Sequence, residues 1–158
     1  MTPYTIEMRT LSELDTAVEY ATVSFAEIGP WMQKALGEVA HYLERKGAGP
    51  AGMPFARHHM RSDGRVDVEA GFPASTPTSG EGEVEPSDLP AGVAAVTVHV
   101  GPYDTIAPAY AALRAWIRER GHEPLGDAWE VYLTDPDAEP DPSTWRTEVI
   151  QPYAVAGN

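Results

Sequence analysis

Apolar residues recur at Met32, Leu36, Val39 and Leu43, and again seventy-four positions later at Ile106, Tyr110, Leu113 and Ile117. Both sets have the i, i+4, i+7, i+11 spacing of a helix with one buried face. The punctuation repeats in the same register: Gly47 falls on Gly121, Pro50 on Pro124, Gly52 on Gly126, and Phe55 on Trp129. Chance overlap of two stripes would not carry the turns with it, so the pattern reads as one small module used twice.

Around the stripes, tracts rich in β-branched and aromatic residues predict strands. Residues 4–9 alternate weakly, and 17–25 read as a full strand. Ile28-Gly29-Pro30 then breaks the chain and a helix is expected from about Trp31, with Pro30 near its first position. Two strands follow at 53–60 and 65–72, joined by the turn Ser62-Asp63-Gly64. Segment 73–90 is loaded with Pro, Ser, Thr, Gly and Glu, with too few apolar residues to offset the entropy of ordering, and reads as a linker. The order then restarts: a strand at 93–100, a break at Gly101-Pro102, a helix at about 105–120, and strands at 128–134 and 145–151 flanking an acidic, Pro-rich loop at 135–142.

The expected fold is therefore α+β. It is a tandem pseudo-twofold repeat of strand-helix-strand-strand modules, with antiparallel sheets, helices on one face and a ligand cleft between modules. Repeat 1 spans about 4–73, the linker 74–91 and repeat 2 about 92–153, all within a single domain of 158 residues. Each half would be marginal alone, which argues for a shared core.

Composition narrows the chemistry. No cysteine is present, which excludes disulfides, thiolate metal sites and a thiol nucleophile. No apolar run reaches the roughly 20 residues a membrane helix needs, so no membrane partner and a cytoplasmic location are expected. The net charge of −13 opposes binding to a phosphate backbone, so no nucleic-acid partner is expected. A monomer is expected, with weak homodimerisation the alternative.

On the strand Trp129-Glu130-Val131-Tyr132-Leu133-Thr134, alternation puts Trp129, Val131 and Leu133 on one face and Glu130, Tyr132 and Thr134 on the other. The apolar set is expected under the helix, leaving Glu130 and Tyr132 on the uncovered face towards the cleft, opposite Ala56 and His58 of the first repeat. One carboxylate among aromatic rings suits a flat, lipophilic cation. The same offset gives Arg57 and His59 the covered positions of Val131 and Leu133, which a buried face does not suit unless a bulge or edge re-aims them. His58 and His59 point to opposite faces, so no metal site is expected. Serines lie in no nucleophile-elbow pattern and the Gly-rich turns lack phosphate-loop spacing. Trp31, Tyr42, Tyr110 and Trp116 read as core at helical spacing, with Trp31 the one best placed to reach the cleft.

The strings MPFARHH, GRVDVEAGFP, LPAG, VTVHVGPYD, RGHEPLGDAWEVYLTDP and WRTEVIQPY resemble the gyrase-inhibitor-like (GyrI-like) small-molecule-binding domain, which also forms the effector-binding half of AraC-type and MerR-type multidrug regulators. The resemblance runs from about Tyr4 to Tyr153. It implies a cleft for hydrophobic, often cationic compounds, with the family's pocket glutamate falling on Glu130. Stacking aromatics are then expected at Tyr132, Trp31, Phe72 and Trp145. No cofactor is expected. Because no DNA-binding domain precedes Tyr4, a stand-alone member is expected. Two alternatives accompany this reading: a hydrolase of cyclopropane-bearing electrophiles, with Glu130 as general base and Tyr132 as hydrogen-bond donor, and a gyrase-interacting protein using its acidic surface.

Overall fold

Ser24 ends a strand and opens a helix. Its backbone N–H donates to Glu27 Oε1 at 2.8 Å, so Ser-x-x-Glu closes the helix N-terminus. The helix therefore begins at Phe25 and not at the expected Trp31, and Pro30 lies inside it. The missing proline amide falls in the second turn, where the cap behind it keeps the helix in place.

The structure is a computed structural model that describes residues 4–135 and 138–155. In chain order its elements are β1 Glu7–Leu11, β2 Leu14–Val23, α1 Phe25–Arg45, β3 Phe55–Met60, β4 Val66–Pro73, β5 Glu85–Leu89, β6 Gly92–Val100, α2 Ala107–Glu119, β7 Glu123–Pro124, β8 Trp129–Tyr132 and β9 Arg146–Ala154. Of the acidic loop expected at 135–142, residues 136 and 137 lie outside the described residues. The fold is α+β with antiparallel strand pairing. No helix among the described residues is long and apolar enough to cross a membrane.

The chain forms two compact units. In the unit Glu13–Pro90 the strand order is β3-β4-β2-β5. Helix α1 packs on β2 and β4, burying Val39, Tyr42 and Leu43 against Ala17 and Ala48, with Phe72 beside them. The segment expected to be a structureless linker contributes to this unit. Its β5 pairs with Leu14–Val18 of β2, Val84 joins the α1 core, and Gly80 N–H donates to the Tyr42 hydroxyl at 3.0 Å. Composition misleads here because the free edge of β2 supplies backbone hydrogen bonds that do not depend on side-chain type.

The other unit comprises the described residues of Met1–Ser12 and Ala91–Asn158. Its order is β1-β6-β9-β8, with β7 also paired to β9. β1 pairs with β6, so the N-terminal strand is built into this unit and not into the 4–73 repeat. Helix α2 buries Ala109, Leu113 and Ile117 against Ala95, Val149 and Tyr153.

Strand register decides which face each helix covers. Glu130 lies opposite Val149 and Tyr132 opposite Thr147, while Trp129 and Val131 lie opposite Ile150 and Glu148. Val149 packs under α2. Glu130 and Tyr132 are therefore on the helix side, which reverses the sequence expectation. The apolar Trp129 is buried on the far face, the face it shares with Ile150 and Val96. β3 follows the same rule: Ala56 pairs with Ala70 and His58 with Val68, the side that holds Ala17 under α1. Arg57 is then on the far face, where its Nε donates to Glu69 Oε1 at 2.7 Å. Turning both strands over removes the conflict over Arg57 without a bulge.

Candidate functional site

A buried carboxylate ringed by aromatic side chains lies between β8 and the start of α2. Glu130 is 7% exposed and Tyr132 8%. Tyr132, two residues on along β8, donates its hydroxyl hydrogen to Glu130 Oε1 at 3.1 Å. Tyr110, in the first turns of α2, donates to Oε2. Burial, and then the negative charge of Glu130, push both phenols well above their ordinary range. They stay protonated and act as donors throughout the physiological range.

The wall beside this carboxylate comes from two 3-10 turns. Tyr103 opens the turn Tyr103–Thr105 that leads into α2. Trp145 follows the turn Pro142–Thr144 and leads into β9; its Nε1 donates to Glu139 O at 2.7 Å. The Tyr103 ring meets Trp145 at a centroid distance of 5.0 Å and Tyr132 edge-on at 5.5 Å, both within the range of favourable aromatic pairs. Tyr103 is 36% exposed, and its phenol too is raised by burial first and then by the charges of Glu130 and Asp135. Next to Tyr132, Thr147 is fully buried and its hydroxyl makes no hydrogen bond. The arrangement can set a negative charge against aromatic faces and edges, chemistry suited to an organic cation.

Of the residues expected at the site, Glu130, Tyr132 and Trp145 come together here. Trp31, Phe72, Ala56 and His58 belong to the Glu13–Pro90 unit. There Trp31 is half-buried on α1, Phe72 packs against the α1 core, and Ala56 and His58 lie on the α1 side of β3. Two residues of this arrangement lie outside the sequence expectation. The helical spacing assigns Tyr110 to the core, although a tyrosine in an otherwise aliphatic stripe needs a partner for its hydroxyl once buried. Tyr103 stands in the VTVHVGPYD string without a signal of its own. A separate group of carboxylates, Glu19, Glu38 and Glu83, has ligand oxygens within 4.8 Å of one another. Lys34 Nζ already donates to Glu38 there at 2.8 Å.

The chain belongs to the GyrI-like family of small-molecule-binding domains, whose pattern matches residues 4–154. No curated protein matches it in sequence. Among solved structures it is similar to the C-terminal domain of EcmrR, with a TM-score of 0.75 at 18% identity over 98% of this chain and 100% of that one. In the EcmrR–DNA complex the TM-score is 0.76 at 21% identity over 97% of this chain, which spans only 58% of that one. A hydrolase from Listeria innocua gives 0.68 at 14% identity over 94% and 91% of the two chains. SAV2435 bound to tetraphenylphosphonium gives 0.67 at 11% identity over 97% and 94%. At these identities the likeness is one of fold.

Proposed function

We propose that this domain binds hydrophobic, mainly cationic aromatic small molecules at Glu130, with Tyr103, Tyr132 and Trp145 as the aromatic wall and Tyr110 and Tyr132 holding the carboxylate. The observation that carries the reading is Glu130 itself: a buried carboxylate oriented by two tyrosine hydroxyls beside packed rings. Membership of a small-molecule-binding family supports it, as does the organic cation bound to SAV2435. Opposite charges about 4 Å apart attract by roughly 4 kcal/mol at an effective dielectric near 20, before desolvation is subtracted. Half of that is still more than tenfold in affinity. The matching orders β2-α1-β3-β4 and β6-α2-β8-β9, to which β1, β5 and β7 are additions, support reading the chain as a duplicated module.

The test is a titration with tetraphenylphosphonium and with neutral triphenylphosphine oxide, followed by tryptophan fluorescence. Glu130→Gln should weaken the phosphonium by about tenfold while moving the neutral compound less than about twofold. Equal losses for both compounds, or no phosphonium binding by the parent protein, would remove the reading.

The hydrolase reading is favoured by one observation, the likeness to the Listeria innocua hydrolase. It would use Glu130 as base towards water. Tyr132 is poorly placed as its oxyanion donor, because its hydrogen is already given to Glu130. Incubation with a cyclopropane-bearing electrophile would yield a water adduct under this reading, and unchanged compound under simple binding.

A further inference from the structure

The turn that carries Tyr103 is held by a histidine. His99, near the end of β6, is 4% exposed and shares the α2 face with Thr147, its partner in register. Its Nε2 lies 3.1 Å from both Pro102 O and Thr105 Oγ1. Thr105 Oγ1 donates its own hydrogen to Pro102 O at 2.8 Å. A carbonyl only accepts and the threonine hydrogen is committed, so Nε2 must carry the ring hydrogen and donate. In the neutral ring Nδ1 is then the lone-pair nitrogen, and the Tyr4 hydroxyl donates to it at 3.0 Å. The Tyr4 contact and the turn contacts thus call for the same tautomer of His99. The chain reverses between His99 and this turn at Gly101, whose φ of 130° suits glycine. Its amide donates to Trp145 O at 2.8 Å. One small network therefore joins the N-terminal segment, the turn that carries Tyr103, and Trp145.

We propose that His99 is a positioning residue: bonded by Tyr4 at its other ring nitrogen, it holds the 102–105 turn so that Tyr103 closes the wall beside Glu130, and it ties ligand contact at that wall to the anchoring of the N-terminal segment at Tyr4. The ligand part of this inference rests on the cation-site reading above. By linkage, a ligand that needs Tyr103 in place strengthens the Tyr4 contact as much as that contact strengthens ligand binding.

Two variants test it. His99→Phe keeps a ring and removes both nitrogens; Tyr4→Phe removes only the hydroxyl that holds Nδ1 and so loosens the ring from the other side, and it carries the test if the first variant fails to fold. Tetraphenylphosphonium affinity is measured for each with Tyr103 present and with Tyr103→Ala. Amide exchange is followed at Thr105 and Ile106, whose N–H groups donate to Pro102 O and Tyr103 O. Each variant should weaken the phosphonium about fivefold or more when Tyr103 is present and less than about twofold when it is Ala, since coupled residues are non-additive. Exchange at Thr105 and Ile106 should quicken about tenfold while Val149 and Ile150 in β9 are unmoved, a local effect that general destabilisation would not produce. Equal affinity losses in both backgrounds, or unchanged exchange at the turn, would overturn the proposal. If the parent protein binds no phosphonium, the cation-site reading fails and exchange alone decides: faster exchange at the turn supports the positioning role, and unchanged exchange ends it.

Discussion

Tyr110 and Glu130 meet across twenty residues of chain, the hydroxyl of α2 donating to the carboxylate of β8. Hydrogen bonds to charged groups contribute more than neutral ones, about 1.5–3 kcal/mol. Tyr110→Phe should therefore lower stability by about 2 kcal/mol in urea unfolding, and by about 1 kcal/mol in a Glu130→Gln background where the acceptor is neutral. Equal costs in both backgrounds would mean that Tyr110 serves packing and not the carboxylate.

Gly71 sits in β4 between β2 and β3. A Cβ there would lie 1.9 Å from the Ala17 carbonyl oxygen and 2.8 Å from Val18 Cα. Both obstacles are backbone, so the strands themselves would have to separate. Gly71→Ala should cost about 3–5 kcal/mol, at the severe end for one substitution, and lower the melting temperature by about 10 °C. An unchanged melting temperature would contradict this strand spacing.

Glu19 is 2% exposed on the α1 side of β2. Burial first, then Glu38 and Glu83, raise its carboxyl from 4.5 to about 7, against a lowering pull from Lys34. A raised carboxyl binds its proton more tightly folded than unfolded, so its stabilisation is full below pH 4.5 and is lost as pH rises to about 7. The change is on the order of 3 kcal/mol. Glu19→Gln should flatten that part of the stability profile and raise stability at pH 8; a profile identical to the parent's would remove Glu19 as its source.

Thr147 is fully buried with an unpaired hydroxyl. Exchanging that hydroxyl for a methyl removes a desolvation cost without breaking a bond. Thr147→Val should be neutral or stabilising by about 1 kcal/mol in thermal unfolding. A clear loss of stability would reveal a partner, such as a bound water.

Strand and helix positions were largely legible because periodicity is a local property. The face that β8 turns to its helix was not. Alternation shows that Glu130 and Tyr132 share a side, but which side is covered depends on the register with β9 and on what α2 presents there. The rule that apolar residues face the helix failed because the far face is buried too, as Trp129 and Ile150 show. Arg57 held the clue: it suited no covered position in the expected arrangement, and it occupies the far face with Glu69. The site was half legible. Glu130 and Tyr132 could be found on one strand, whereas Tyr110 and Tyr103 reach them only through the packing of α2 and the turn before it. The segment 74–91 was misjudged for a related reason, since an edge strand draws on a neighbour's backbone and not on its own composition.

β9 lies between β6 and β8, while β1 at the other end of the chain pairs with β6. The unit that contains Glu130 is thus assembled from two segments that flank Glu13–Pro90 in the chain. During synthesis Glu13–Pro90 emerges before β6, so β1 waits for its partner until Gly92–Val100 follows, and β8 has no neighbour within its own unit until Arg146–Ala154 leaves the ribosome. A product truncated ahead of β9 would accordingly lack Val149 and Thr147, the residues in register with Glu130 and Tyr132 that set which face β8 turns to α2.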